Sequence, residues 1–214
     1  MSMPEWFVRG FSAPRMKPYL AATGGDADTA FRLYLWNTEV AGAFYSPLHF
    51  AEVILRNTLH DNLNAHFGPK VWWDSAPLND GSRRKIHEAA VLCSRKHGRA
   101  AIDDIVSELT FGYWVGLLGR RYDRALWIPT LHRAFPGYHG RRDKLHSDLE
   151  ALLLLRNRIS HHEPIHRLAL DADHERIYKV IRYLNPDAAR ALRTFDNVSE
   201  VLVRRPGSAG PTSS

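Results

Sequence analysis

One stretch of the chain guides the interpretation of all the others: Arg156-Asn157-Arg158-Ile159-Ser160-His161-His162-Glu163-Pro164-Ile165. The leucine-rich segment before it, residues 145–155, carries apolar side chains at spacings of four, three and seven that continue to Ile159. Such spacings place the side chains on one face of a buried helix. We expect Pro164 to end this helix, because proline removes a backbone hydrogen bond and clashes with the preceding turn.

Three polar side chains appear where the apolar stripe of this helix should continue. Arg156 lies four residues after Leu152 and so points toward the stripe, while Asn157 and His161 are four residues apart. At about 100° per residue the three fall within an arc of roughly 140°. A guanidinium, an amide and an imidazole on a half-buried face are costly unless a partner satisfies them. A phosphate group is the natural partner for this trio.

The composition is that of a globular protein of one domain. The 214 residues can bury a sizeable core, and the single cysteine, Cys93, excludes an internal disulfide framework. We expect a cytoplasmic protein with no membrane association, because such cysteine usage is typical of a reducing compartment and no apolar run approaches ~18 residues. The 29 basic and 23 acidic residues give a formal charge of +6, a mild excess that favours a polyanionic partner.

Start and stop signals predict a chain that is helical throughout. Three prolines and a glycine pair interrupt residues 1–25, which we expect to be an irregular lead-in. A single helical domain should cover residues 26–203, and residues 204–214, rich in Pro, Gly and Ser, should form a disordered tail. No alternating strand pair is found, so the predicted fold class is all-α. Caps, prolines and glycines predict the main helices over about 26–44, 46–68, 79–97, 141–163 and 171–185.

One apparent metal site is rejected on geometry. His162-Glu163-Pro164-Ile165-His166 matches the HExxH pattern of zinc proteases. That chemistry requires both histidines on one face of a continuous helix, and a proline in the middle prevents such a helix. We therefore predict no metal site and no cofactor.

An earlier segment repeats the beginning of the motif. Arg56-Asn57 resembles Arg156-Asn157, and Glu52 lies four residues before Arg56. One interpretation is an ion pair between residues i and i+4 on a helix surface. The other is that Glu52, Arg56 and Asn57 form a buried polar network that supports the later motif.

These residues carry a resemblance to a known family. Arg156, Asn157 and His161 match the R-x4-6-H signature of the HEPN superfamily, and an ordered set of segments resembles the Abi-like proteins, a bacterial abortive-infection family within it. The resemblance spans roughly residues 28–185. The chain lacks a tyrosine two residues after His161, which argues against toxins silenced by adenylylation there. The segments are Ala51–Asn57, Phe67-Gly68 with Trp72-Trp73, Leu109–Trp114, Leu126-Trp127, Ala134–Pro136 and Leu155–Ile165.

The resemblance implies a HEPN-like helical bundle and metal-independent cleavage of RNA by its own 2′-hydroxyl group. His161 would act as the general base or acid, because imidazole exchanges protons near neutral pH. Arg156 would stabilise charge on the phosphorane, and Asn157 would orient the histidine or hold a phosphate oxygen. We expect substrate contacts from Arg158, His162, Arg141, Arg142 and Lys144, with Arg83 and Arg84 as further phosphate-binding candidates. Glu52, Arg56 and Asn57 would support the site.

Two other interpretations remain open at the level of sequence. The same pocket could serve a non-catalytic module that binds RNA or another protein. Alternatively, Arg156 and Asn157 could form a structural network with an acidic residue such as Glu52 or Glu150. For an active enzyme the expected partners are RNA and a second copy of the chain that supplies the other acid–base group. An antitoxin of protein or RNA is a further candidate partner.

Overall fold

The protein is all-α, as its sequence predicts. The computed structural model describes residues 4–68 and 71–207, and within them every regular element is helical. Short 3₁₀ and π turns at Arg120–Tyr122, Asp123–Trp127 and Leu131–Ala134 join α8 to α9. The helices are α1 (Glu5–Phe11), α2 (Ala13–Ala22), α3 (Ala27–Ala43), α4 (Tyr45–Phe67), α5 (Trp72–Ser75), α6 (Asp80–His97), α7 (Ile102–Glu108), α8 (Phe111–Gly116), α9 (Arg142–Ser160), α10 (Leu170–Leu184), α11 (Pro186–Leu192) and α12 (Val198–Val203).

The core lies where α4, α9 and α10 pack around one another. Helix α10 contacts both α4 and α9, and α8 closes the same core against α4 and α9. Each of these helices presents an apolar stripe at spacings of three and four, the pattern that buries one helix face. The fully buried stripes comprise Leu55, Leu59 and Leu63 on α4, Leu145, Leu149 and Leu152 on α9, and Ile177 and Ile181 on α10.

Local capping chemistry marks several of the helix boundaries. The Asp26 side chain accepts a hydrogen bond from the Thr29 amide at 3.0 Å and begins α3. Asn79 begins α6 in the same way, and Gly98 ends it in the left-handed conformation that glycine tolerates. None of the described helices is both long and apolar enough to cross a membrane.

The predicted irregular lead-in is wrong, because residues 5–22 form α1 and α2. Phe7, Met16 and Tyr19 are buried in the core, and the Phe7 and Tyr19 rings each contact Tyr34 of α3. Burial of three large apolar side chains is worth about 5 kcal/mol or more, which exceeds the ~3 kcal/mol cost of a proline such as Pro18 inside a helix. The predicted tail falls mostly outside the described residues, which end at 207.

A buried carboxylate joins α9 to α10. Asp148 of α9 is only 4% exposed. Its oxygens lie 3.2 Å from Lys144 Nζ, 3.0 Å from Lys179 Nζ and 3.6 Å from Arg176 Nε. Burial alone would raise the pKa of this carboxyl, but hydrogen bonds from Lys179 and Lys144 outweigh it and hold the pKa below the ordinary value of 3.8. The cluster therefore stabilises the fold in its ionised form.

We predict that Asp148→Asn lowers the free energy of unfolding by about 2 kcal/mol at pH 7, because three cations lose their shared partner. Folding lowers the pKa of this carboxyl, so the ionised carboxylate stabilises the folded state at every pH above the pKa it has in the unfolded chain. The stabilisation is lost as the pH falls through the pKa of the carboxyl in the folded state. The difference between variant and wild type should therefore shrink below about pH 4 in urea unfolding followed by circular dichroism.

The matched control is Asp61→Asn. Asp61 is exposed in the middle of α4 and has no ion pair among the described residues. Its replacement should leave the unfolding midpoint unchanged at both pH values. An Asp148→Asn protein as stable as this control at pH 7 would contradict the proposed role of the cluster.

Candidate functional site

The motif lies where α9 ends and the chain turns back along α3. Helix α9 stops at Ser160, and the amide of His161 still bonds the Asn157 carbonyl at 2.9 Å. His162 then adopts a left-handed backbone with φ of 57°, which ends the helix ahead of Pro164. The buried Asn37 side chain of α3 fixes the following loop, because its oxygen accepts hydrogen bonds from the amides of Ile165 at 2.8 Å and His166 at 3.0 Å.

Arg156 points from α9 toward α4. Its Nε lies 3.3 Å from Oε2 of Glu52, and the two side chains are 37% and 24% exposed. No other hydrogen bond or ion pair engages this guanidinium within the described part of the chain, so the Nη atoms remain available. Arg156 lines a surface cleft of about 260 Å³ together with Tyr45, His49 and Arg56.

The other motif side chains lie around the end of α9. His161 is exposed, and in the described ranges neither its imidazole nor the half-buried Asn157 amide has a side-chain partner. Arg158 Nε is buried without a hydrogen bond, and the nearest carboxylate oxygen, on Glu163, is 3.9 Å away. The motif therefore combines one partly engaged guanidinium with an imidazole open to a ligand.

A larger groove adjoins this cleft and contains residues that the sequence did not suggest. It measures about 810 Å³ and is lined by His162 of the motif, Arg15 of α2 and the aromatic rings of Tyr19 and Tyr34. Tyr45 lines both the groove and the Arg156 cleft, so the two form one continuous surface. The aromatic and basic residues of α1 and α2 could not be assigned to a site while residues 1–25 were expected to be irregular.

Three predicted substrate contacts lie far from the motif. Arg141, Arg142 and Lys144 are at the start of α9, and the 14 residues from 142 to 156 span about 21 Å at 1.5 Å per residue. Each is engaged by an acid: Arg141 with Asp143 at 2.8 Å, Arg142 with Asp123 at 3.0 Å, and Lys144 with Asp148 at 3.2 Å. These cations do not belong to the site around Arg156.

Arg83 and Arg84 are also remote from the motif, on α6. The Arg83 guanidinium donates to the carbonyls of Trp73, Ala76 and Leu78 at 2.9–3.2 Å. Arg83 therefore fixes the loop before α6 and is not free to bind phosphate.

The contacts of the earlier Arg56-Asn57 segment match neither the surface ion pair with Glu52 nor the buried polar network that the sequence suggested. Glu52 pairs with Arg156 and, among the described residues, makes no ion pair with Arg56. Arg56 Nε instead donates to Oδ1 of Asn57 at 3.1 Å, and Asn57 is exposed. Glu52 does support the motif, but the expected buried network of all three residues is not present. Glu150, the other acid considered for Arg156, lies 3.4 Å from His146 instead.

His166 shows why the HExxH match has no zinc-binding geometry. Helix α9 has ended before His162, and His166 is fully buried with its ring 4.7 Å from that of Tyr19. Burial, aided by the nearby positive charges of Arg167 and Arg205, lowers the pKa of His166 to about 4. The imidazole is therefore neutral at pH 7.

Comparisons with protein families, curated proteins and solved structures find no significant match to the chain.

We predict that the Glu52–Arg156 ion pair contributes little to stability, because both side chains are partly exposed and a single nitrogen makes the contact. A double-mutant cycle with Glu52→Gln and Arg156→Gln should give a coupling energy below about 1 kcal/mol in urea unfolding. The Asp148–Lys179 pair, whose carboxylate is buried, should give a larger coupling in the same protein. A Glu52–Arg156 coupling of about 3 kcal/mol or more would instead indicate a structural network.

Proposed function

We propose that the protein is a metal-independent endoribonuclease of a bacterial phage-defence or toxin–antitoxin type system. The observation that carries the proposal is the half-engaged Arg156, which lines a surface cleft together with Ser160. His161, the next residue along the chain, does not line the cleft but is exposed and has no side-chain partner in the described ranges. A guanidinium fully bound by carboxylates within the fold would have no donors left for a phosphate. The resemblance to the Abi-like proteins supplies the reaction class.

The reaction follows from the chemistry of these side chains. The 2′-oxygen of the RNA attacks the adjacent phosphorus while the bond to the 5′-oxygen breaks. One imidazole accepts the 2′-hydroxyl proton, and an acid gives a proton to the departing 5′-oxygen. Arg156 donates to the phosphorane oxygens, and Asn157 holds an oxygen or orients His161. The products are a 2′,3′-cyclic phosphate and a 5′-hydroxyl, and DNA is not cleaved because it lacks the attacking group.

The groove beside the motif supports a single-stranded substrate. Tyr45 is 68% exposed and borders both the groove and the cleft, and its ring is stacked with that of His49. Bases of unpaired RNA stack on exposed aromatic rings, while Arg15 can contact the backbone. A bound strand would therefore stack a base on Tyr45 and place its scissile phosphate at Arg156.

One copy of the chain supplies one His161, yet the reaction uses both a base and an acid. A two-fold dimer solves this by bringing His161 of each chain to opposite sides of one phosphate. His162 is a poor substitute within one chain, because its left-handed backbone directs it into the groove and away from the helix end. We therefore propose a homodimer with the two motifs facing each other.

We predict that purified protein cleaves single-stranded RNA in EDTA, and that Arg156→Ala and His161→Ala each reduce the rate by at least about 100-fold. Denaturing gels with end-labelled RNA measure cleavage, and an acid-labile cyclic phosphate identifies the product. Circular dichroism should remain unchanged for both variants.

The matched controls are Arg99→Ala and His139→Ala, since both residues are exposed and have no side-chain partner in the described part of the chain. They should cleave like wild type. Strict dependence on a divalent metal would overturn the mechanism. Binding of RNA that depends on Arg156 but gives no cleavage would favour the non-catalytic module.

We predict that activity depends on two intact motifs in one dimer. Wild-type and His161→Ala chains, co-refolded at varied ratios, should give a rate that falls as the square of the wild-type fraction. A linear decline would mean that each chain acts alone. Light scattering provides the second check, because a monomer at tens of micromolar that still cleaves RNA would exclude the shared site.

A further inference from the structure

A second cavity lies far from the motif, at the other end of α9. It measures about 820 Å³, about the same as the groove beside the motif. Its walls are the first turn of α6, the glycine-bearing face of α8 and the 3₁₀ turn at Arg120–Tyr122. His146 and Glu150 of α9 close one side. The ten residues from His146 to Arg156 correspond to about 15 Å along the helix, so this cavity is separate from the motif cleft.

Three of the four arginine and lysine side chains that line this cavity are not neutralised within the described part of the chain. Lys85, Arg120 and Arg121 line it, and none has a hydrogen bond or a carboxylate within ion-pair distance in the described ranges. Arg84 also lines it and reaches only Glu88, at 3.8 Å. The one acid of the lining, Glu150, lies 3.4 Å from His146. Converging cations without internal partners favour an anionic ligand.

A buried hydroxyl at the same cavity has no partner. Tyr113 is 3% exposed and lines the cavity, yet its hydroxyl makes no hydrogen bond. The neighbouring Tyr122 is fully satisfied, since it accepts from the Asn79 amide at 3.2 Å and donates to Ser82 Oγ at 2.8 Å. A buried polar group without a partner is costly and rare in folded proteins. Burial and the nearby Tyr122 raise the pKa of Tyr113, so the hydroxyl keeps a proton to donate.

The start of α6 adds to the same electrostatic pattern. Gly81 and Ser82, in the first turn of this 18-residue helix, line the cavity. The amino end of a helix carries partial positive charge and favours bound anions. The acid of that turn, Asp80, is exposed and does not line the cavity.

The glycines leave room for more than an inorganic ion. A Cβ atom at Gly116 would meet nothing within 4 Å, although this residue lines the cavity. The volume of about 820 Å³ lies within the range of sites that bury small organic ligands. The cavity therefore has space for an organic group beside its cationic wall.

We propose that this cavity binds a small molecule carrying a di- or triphosphate group, such as a nucleoside polyphosphate. Arg84, Lys85, Arg120 and Arg121 hold the phosphate oxygens, and the first turn of α6 and the Tyr113 hydroxyl supply further donors. The organic part occupies the space beside Gly116. The site requires neither RNA nor an intact motif.

The test is calorimetric titration of the full-length protein with inorganic pyrophosphate, ATP and adenosine. Pyrophosphate and ATP should bind and adenosine should not. The double variant Arg120→Ala/Arg121→Ala should weaken both affinities by about tenfold or more, because it removes two charge-assisted contacts. Gly116→Leu should abolish ATP binding by filling the open space, since Gly116 has an ordinary backbone conformation that leucine can adopt.

Controls separate this site from the rest of the surface. Arg99→Ala removes an exposed arginine near the far end of α6, and Gly42→Leu fills space in the groove beside the motif. Both should bind ATP like wild type, as should His161→Ala, so failure of the ribonuclease proposal would leave this result unaffected. Tyr113→Phe should not lower the melting temperature of the free protein, because it removes an unpaired hydroxyl, but it should weaken pyrophosphate binding.

Three outcomes would overturn the proposal. The first is no binding of pyrophosphate or ATP at millimolar concentration. The second is binding that the Arg120→Ala/Arg121→Ala variant retains in full, which would assign it to general surface charge. The third is binding of RNA oligonucleotides at this cavity without any binding of pyrophosphate or ATP. If circular dichroism shows that Gly116→Leu does not fold, the Arg120→Ala/Arg121→Ala variant alone decides the result.

Discussion

The carboxamide of Asn37 determines where the motif lies. Its buried oxygen accepts the amides of Ile165 and His166, and so fixes the turn at which α9 ends. Asn37 is itself held because α3 packs against α2 and α12, and because Trp36 Nε1 donates to the Val201 carbonyl at 2.8 Å. The two ends of the chain therefore converge on the helix that positions the motif. Helix α2, which was expected to be part of an irregular lead-in, therefore supports this turn through α3.

Several features of the fold could be predicted from local sequence, because their causes are local. The leucine spacing identified α9, and side-chain caps such as Asp26 and Asn79 marked helix starts. The amino-terminal helices were missed because prolines argue against helices locally, while the burial of Phe7 and Tyr19 that overrides them is a tertiary effect. The role of Asn37 could not be predicted from the sequence, because a single polar residue on an apolar helix face does not indicate which distant groups it binds.

The candidate site was predicted only in part for a related reason. Arg156, Asn157 and His161 are close in sequence, so helix geometry brings them to one end of α9. Basic clusters elsewhere in the sequence need not lie near the motif. Arg142, for example, is separated from Arg156 by about 21 Å along α9. The net charge of +6 was a poor guide to a binding surface, because most cations that seemed available are neutralised by acids or bound by carbonyls. Three cations without an acidic partner in the described residues, Lys85, Arg120 and Arg121, instead line one cavity near the start of α6.

The contact between Glu52 and Arg156 has a geometry suited to positioning. A carboxylate that bound the guanidinium through two parallel hydrogen bonds would occupy the donors that a phosphate needs. Contact through Nε at 3.3 Å leaves both Nη atoms without a partner among the described residues, and Arg156 lines the cleft. The remaining Nη donors are those that make bidentate contacts with phosphate oxygens. Glu52 also offsets part of the positive charge of the cleft that Arg156 and Arg56 line.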